Sequence, residues 1–124
     1  IRDDGVVFMI GSATKYKNDI QPLENEVDYA KQILNLHPKS WIDKGEQERG
    51  DVRGRYYGVI AEDVEALGLS EYTTKNEDGE LESVQYDRLW TLLLPVVREQ
   101  ESEIKNLKQE LADLKVLLTE KGVI

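Results

Sequence analysis

The chain carries a serine, Ser12, directly after Gly11, and a lysine, Lys17, five residues further on. A serine hydroxyl is a poor nucleophile until a base takes its proton, and a neutral lysine amine is such a base. Lysine gives up its charge only where burial or a second positive charge disfavours the ammonium. Lys15 and the apolar run Val6-Val7-Phe8-Met9-Ile10 are the local material for either effect. The pair read by itself is open: a Ser-Lys dyad and a turn serine beside solvated lysines both fit the spacing. Gly11 is equally open, as a residue whose backbone must be approached closely or as an ordinary turn glycine.

Other polar features offer less chemistry. His37, the single histidine, precedes Pro38 at an expected helix end and reads as a cap or packing residue. Asn76-Glu77-Asp78-Gly79-Glu80 lacks the alternating ligand spacing of a calcium loop and reads as a turn. Glu62, Asp63 and Glu65 read as the solvated face of a short helix, and Trp41, Tyr56, Tyr57 and Trp90 as core. Neither a metal nor a cofactor is expected. Cysteine is absent, so thiol nucleophiles, disulfides and thiolate zinc sites are excluded. A net charge of -9 and a pI near 4.6 disfavour nucleic acid and anionic lipid as partners. The longest apolar run, Leu92 to Val97, is far shorter than the ~20 residues that span a bilayer. The start at Ile1, with no methionine, leads us to expect a piece of something longer.

The elements that must position these residues can be read from the pattern. Val6–Ile10, ending at Gly11, reads as a buried strand and turn. Pro22 and the acidic residues after it open a helix over roughly 24 to 36, whose Val27, Ala30, Ile33 and Leu34 recur at helical spacing until Pro38. Ser40-Trp41-Ile42 predicts a brief strand, Asp43 to Arg53 an exposed loop, and Arg55 to Ile60 a second strand. Ala61 to Leu67 predicts a short helix that Gly68 can cap. Tyr72-Thr73-Thr74 and Leu81 to Val84 flank Asp78-Gly79, which favours a tight hairpin. The expected fold is α+β: a small mixed body of short strands and two short helices, then a long C-terminal coiled-coil helix.

That helix carries the clearest pattern in the chain. From Trp90, residues Leu93, Val97, Gln100, Ile104, Leu107, Leu111, Leu114 and Leu118 fall alternately three and four apart, a narrow seam of about four heptads. Glu103 with Lys108, and Glu110 with Lys115, occupy the flanking positions where parallel partner helices meet with opposite charges. Self-association in parallel register is the expectation, since a helix folded on its own domain presents a broader apolar face. Pro95 inside the pattern predicts a kink, with the turns from Tyr86 packing on the body and the clean coil beginning after it.

Four segments, in order, carry a resemblance to a known family. They are Gly-Ser-Ala-Thr-Lys-Tyr-Lys-Asn-Asp-Ile at 11–20, Leu36-His37-Pro38-Lys39-Ser40-Trp41, Tyr57-Gly58-Val59-Ile60-Ala61-Glu62-Asp63-Val64, and Val84-Gln85-Tyr86-Asp87-Arg88-Leu89. The chain resembles the self-cleaving intramolecular chaperone domain at the C-terminus of phage tail spikes, tail fibres and endosialidases. The resemblance implies a homotrimer that helps an upstream fibre of the same polypeptide to fold and is then released by a Ser-Lys peptidase reaction. Carried onto this sequence, Ser12 is the nucleophile, Lys17 the general base and Gly11-Ser12 the cleaved bond. It also implies assembly in the host cytoplasm, with the fibre destined for the virion tail. Residues 1–11 are then the end of the fibre segment, 12–85 the processing body and 86–124 the assembly helix. Ala13 and Tyr16 depart from the commoner family form, in which an acidic residue and a leucine are frequent.

Because Ser12 lies on the leaving side of its own bond, its hydroxyl reaches the Gly11 carbonyl without diffusing, and proximity does much of the work. Backbone N–H groups of the Lys15 to Asn18 turn are the expected oxyanion donors. Two other readings stand beside this one. The first is a non-catalytic trimerisation and folding module that stays attached to its fibre. The second is the related auto-processing domain of membrane-anchored transcription factors, whose membrane span would follow the coil, where here Leu118 is followed by Thr119 to Ile124.

Overall fold

The computed structural model describes residues 11–122, so the expected strand at Val6–Ile10 and the segment leading to Gly11 lie outside the described residues. The described residues form a mixed body of short antiparallel strands and short helices, then one long helix.

After Pro22 the chain is helical as expected, but only its centre is α-helix. A 3-10 turn at Leu23–Glu26 leads into α1, Val27–Ala30, and a second 3-10 stretch runs over Lys31–Asn35. Ala30, fully buried, is the residue of α1 that reaches the core. β1, Lys39–Trp41, then pairs antiparallel with β2, Tyr56–Gly58, in the register Lys39↔Gly58, Ser40↔Tyr57 and Trp41↔Tyr56.

The stretch between these strands reads as loop in the sequence, yet it contains α2, Lys44–Glu48. Asp43 is its N-cap, accepting the Glu46 N–H at 2.9 Å. Glu46 itself turns inward, with 8% of its surface exposed, and accepts the Arg53 N–H at 3.0 Å and the Tyr56 hydroxyl. A buried carboxylate needs such partners, and here they tie the connection back onto β2. Five residues are too few to display a helical period, which is why the text suggests a loop.

α3, Ala61–Ala66, ends in a Schellman motif. Gly68, at φ +79, donates to the Glu65 carbonyl at 3.0 Å, and Leu69 donates to the Val64 carbonyl at 3.3 Å. Leu69 and Val64, the apolar pair of that motif, are fully buried. β3, Thr73–Lys75, and β4, Leu81–Val84, form the expected hairpin, with a bulge between Thr74 and Lys75. Its turn is organised by Asn76, whose Oδ1 accepts the N–H groups of Asp78 and Glu80, each at 2.9 Å.

Gln85 joins the hairpin to the C-terminal helices. Its N–H donates to the Tyr72 carbonyl at 2.8 Å, and its side-chain amide reaches the carbonyls of Glu71 and Thr73, each at 3.3 Å. α4, Tyr86–Leu89, is followed by a 3-10 turn at Trp90–Leu92 and then α5, Leu93–Glu120. The Tyr86 hydroxyl accepts the Val59 N–H and donates to the Val59 carbonyl, both at 3.0 Å. Only glycine at position 58 permits that approach, because a Cβ there would collide with the Tyr86 hydroxyl oxygen.

Pro95 falls inside a run of right-handed helical backbone that begins at Tyr86. It is the third residue of α5 and is buried. The tightening comes earlier, in the 3-10 turn, across which the backbone stays right-handed.

The core is the meeting of these pieces: Ala30 from α1, Val64 from α3, Leu69 after it, Leu89 from α4, Leu92 from the 3-10 turn and Val96 from α5. A Lys31–Glu99 ion pair at 2.8 Å adds a charged tie between body and helix. Trp41 is half-buried, but Tyr56, Tyr57 and Trp90 are exposed rather than core. With so small a core, each large member matters. Replacing Leu92 by alanine should lower unfolding free energy by about 3 kcal/mol, read from the shift in a chemical-denaturation midpoint; a change within about 0.5 kcal/mol would show that the helix root is not part of the body's core.

Candidate active site

Ser12 and Lys17 come together through the shape of the backbone between them. Ala13 and Lys17 are extended and flank a 3-10 turn at Thr14–Tyr16. The Tyr16 N–H donates to the Ala13 carbonyl at 3.1 Å, and the Lys17 N–H to the Thr14 carbonyl at 2.9 Å. This turn brings the lysine back toward the serine. Lys17 Nζ lies 3.2 Å from Ser12 Oγ and donates at 2.7 Å to the Ser12 carbonyl oxygen. At that separation a neutral amine would accept the hydroxyl proton along the same line. The two backbone bonds also commit the Tyr16 and Lys17 N–H groups, half of the expected oxyanion donors, to the turn itself.

The pair lies in an open cleft lined by Gly11, Ser12, Lys17, Tyr72, Asp87, Arg88 and Thr91. The far wall is therefore α4 and the 3-10 turn after it. Thr91 Oγ1 donates to the Arg88 carbonyl at 2.6 Å, which fixes that wall from within. Sequence reasoning picks out Asp87 and Arg88 only as part of a segment opening the helix and does not reach Tyr72 or Thr91. The signal lies in that segment's polar face: Leu89 is buried in the core, so Asp87 and Arg88 must point elsewhere. Lys15, expected as the charge beside the dyad, instead stands over the Tyr16 ring, 5.1 Å from its centre.

Tyr72 connects this cleft to a second group of ionisable residues. Tyr29 donates to Glu71 Oε2 at 2.6 Å, and the two line a neighbouring hollow with Leu23, Glu26 and Tyr72. Burial, and then the hydrogen bond to Glu71, push the Tyr29 phenol up. The same hydrogen bond holds the Glu71 carboxyl below its ordinary value. Burial pushes the Tyr72 phenol up as well.

Other residues weighed from the sequence take structural places. Asp63 pairs with Lys39 at 2.7 Å, and Glu65 accepts the Thr73 hydroxyl at 2.9 Å, so of the three acidic residues on α3 Glu62 alone is an exposed group. His37 is exposed beside Asn35, Lys39 and Asp63. Among the described residues no three His, Cys, Asp or Glu side chains converge on a point that could hold a metal ion, and no helix is long and apolar enough to cross a membrane.

The seam residues are where α5 leaves the body. Leu93, Val97, Ile104, Leu107, Leu111 and Leu114 are exposed, and Leu118 is half-buried. Leu107 shows 63% of its surface, so the row is an exposed apolar stripe.

A family model described as chaperone of endosialidase, and classed among peptidases, matches residues 12–73, half of the chain. A search of curated proteins found no match. The matched span begins at the serine and contains the lysine.

The Tyr29–Glu71 bond sets a pH dependence. Glu71 is held low in the folded state, so its stabilisation is present above the ordinary glutamate value of 4.5 and is lost as pH falls below it. Wild type should therefore lose more stability than Tyr29→Phe between neutral pH and about pH 3 in denaturant titrations. Equal losses would show that the bond contributes nothing to folding.

Proposed function

This chain belongs to the chaperone-of-endosialidase family, and we propose that it is an intramolecular chaperone that trimerises, helps an upstream phage fibre or tail spike to fold, and then cuts itself free between Gly11 and Ser12. The observation that carries this reading is the 3.2 Å approach of Lys17 Nζ to Ser12 Oγ at the first residue of the family match. In this reading residues 12–85 are the processing body and 86–124 the assembly helix.

The proposed reaction is an acyl transfer within one chain. Lys17, as the neutral amine, takes the proton of the Ser12 hydroxyl while Oγ attacks the Gly11 carbonyl carbon. The tetrahedral intermediate collapses by breaking the bond from Gly11 carbon to Ser12 nitrogen, and the lysine returns its proton to the leaving amine. The product is an ester between Gly11 and the Ser12 side chain. Water then adds to that ester, leaving a carboxylate on Gly11 and restoring the hydroxyl of Ser12, which now carries a free α-amine. The reaction occurs once per chain. Separation of the pieces makes it irreversible, so the fibre would be held in its assembled state kinetically.

Trimerisation is supported by the exposed seam of α5 and by the charge order at its flanks, Glu103 with Lys108 and Glu110 with Lys115. Parallel helices would bring three upstream segments into common register before the cut. Because α4 both precedes that seam and walls the dyad cleft, assembly would bear on cleavage as well.

The test is expression of the body with its natural upstream segment, followed by denaturing gels. Wild type should appear as two fragments, and Ser12→Ala and Lys17→Ala each as a single uncut band, since removing either half of a dyad costs several orders of magnitude in rate. If both variants are processed like wild type, the dyad is wrong. Intact wild type with normal assembly would instead favour the non-catalytic folding module.

A further inference from the structure

Gly11, on the acyl side of the proposed cut, is not packed as an ordinary turn glycine. A Cβ added to it would stand 2.7 Å from Cδ2 of Tyr16, 3.1 Å from Cε2 and 3.2 Å from Cγ, so the phenol ring lies directly over its α-carbon. Separations under 3.0 Å between such carbons are essentially never tolerated. Tyr16 is 67% exposed, so Gly11 and the turn are what its ring rests on. Lys15 Nζ stands 5.1 Å from its centroid, and the Tyr16 N–H is bound to the Ala13 carbonyl. The next residue in the chain is Lys17, whose own N–H closes the same turn. The ring, the base and the nucleophile are therefore parts of one short loop.

We propose that Tyr16 is a positioning and specificity residue for self-cleavage: its ring holds Gly11 against the dyad and restricts the residue before the cut to glycine. This rests on the dyad reading above and adds what that reading lacks, a reason for glycine on the acyl side. A side chain there would displace the ring and with it the carbonyl that Ser12 must attack, and misplacement by about 1 Å costs on the order of a hundredfold in such reactions. The nearest atoms in the contact are ring carbons.

The experiment measures first-order cleavage rates of the full precursor carrying its upstream segment. The variants are Gly11→Ala, Tyr16→Phe, Tyr16→Ala and the double variant Gly11→Ala with Tyr16→Ala, with oligomer size and thermal midpoint checked for each. Tyr16→Phe should cut within about twofold of wild type, and Gly11→Ala at least about tenfold more slowly. The double variant should recover to the rate of Tyr16→Ala alone, because the clash has been removed from the other side. Recovery of this kind is a readout that general damage to the fold would not give. Gly11→Ala cutting at the wild-type rate, or a double variant no faster than Gly11→Ala, overturns the role of Tyr16 and leaves the dyad standing. An uncut wild type would overturn both.

Discussion

Leu89, Leu92 and Val96 lie along the root of the long helix and are at most 5% exposed, packed against Ala30, Val64 and Leu69 of the body. Among the described residues the body has two separate two-stranded sheets, neither of which could stand alone in water. The helix root supplies the apolar surface that closes the core with α1 and α3. Burial of such side chains contributes about 1.5–3 kcal/mol each, which for so small a core is a large share of the folding free energy. Polar ties then fix the angle: the Tyr86 hydroxyl on both backbone groups of Val59, the Gln85 amide on the Thr73 carbonyl of β3, and Lys31 on Glu99.

One face of this root is core and the other walls the candidate cleft. Leu89 faces inward while Asp87, Arg88 and Thr91 wall the cleft that holds Ser12 and Lys17. Further along the same helix the apolar row from Ile104 to Leu114 is exposed. The proposed chaperone and peptidase functions thus share a single structural element. The 3-10 turn at Trp90–Leu92 is the junction between the two.

Much of the fold is legible in the sequence where a local rule has an unambiguous signal. Gly68 announces a helix end because a positive φ is needed there, and Asp78-Gly79 announces a hairpin for the same reason. The heptad spacing makes α5 visible over its whole length. The spacing of Ser12 and Lys17 is visible too, but not the 3-10 turn that joins them, because three residues carry no period. α2 is hidden for the same reason, and Glu46 looks like a surface charge because its partners are the backbone of Arg53 and the hydroxyl of Tyr56. Pro95 is visible as a gap in helical hydrogen bonding, but the 3-10 turn just before it is not, because how Leu92 packs is a tertiary fact. The cleft walls contributed by Tyr72 and Thr91 likewise depend on how distant segments meet.

The central claim is that assembly through α5 and cleavage at Ser12 are coupled through the helix root. The most direct measurement is sedimentation of the full precursor carrying Leu107→Asp with Leu111→Asp, with cleavage followed on the same samples. Two buried charges per chain in the seam should leave a monomer whose core residues Leu89, Leu92 and Val96 are untouched, and the account predicts that cleavage falls along with the trimer. A folded monomer that cuts itself as fully as wild type would contradict it and reduce α5 to a tether.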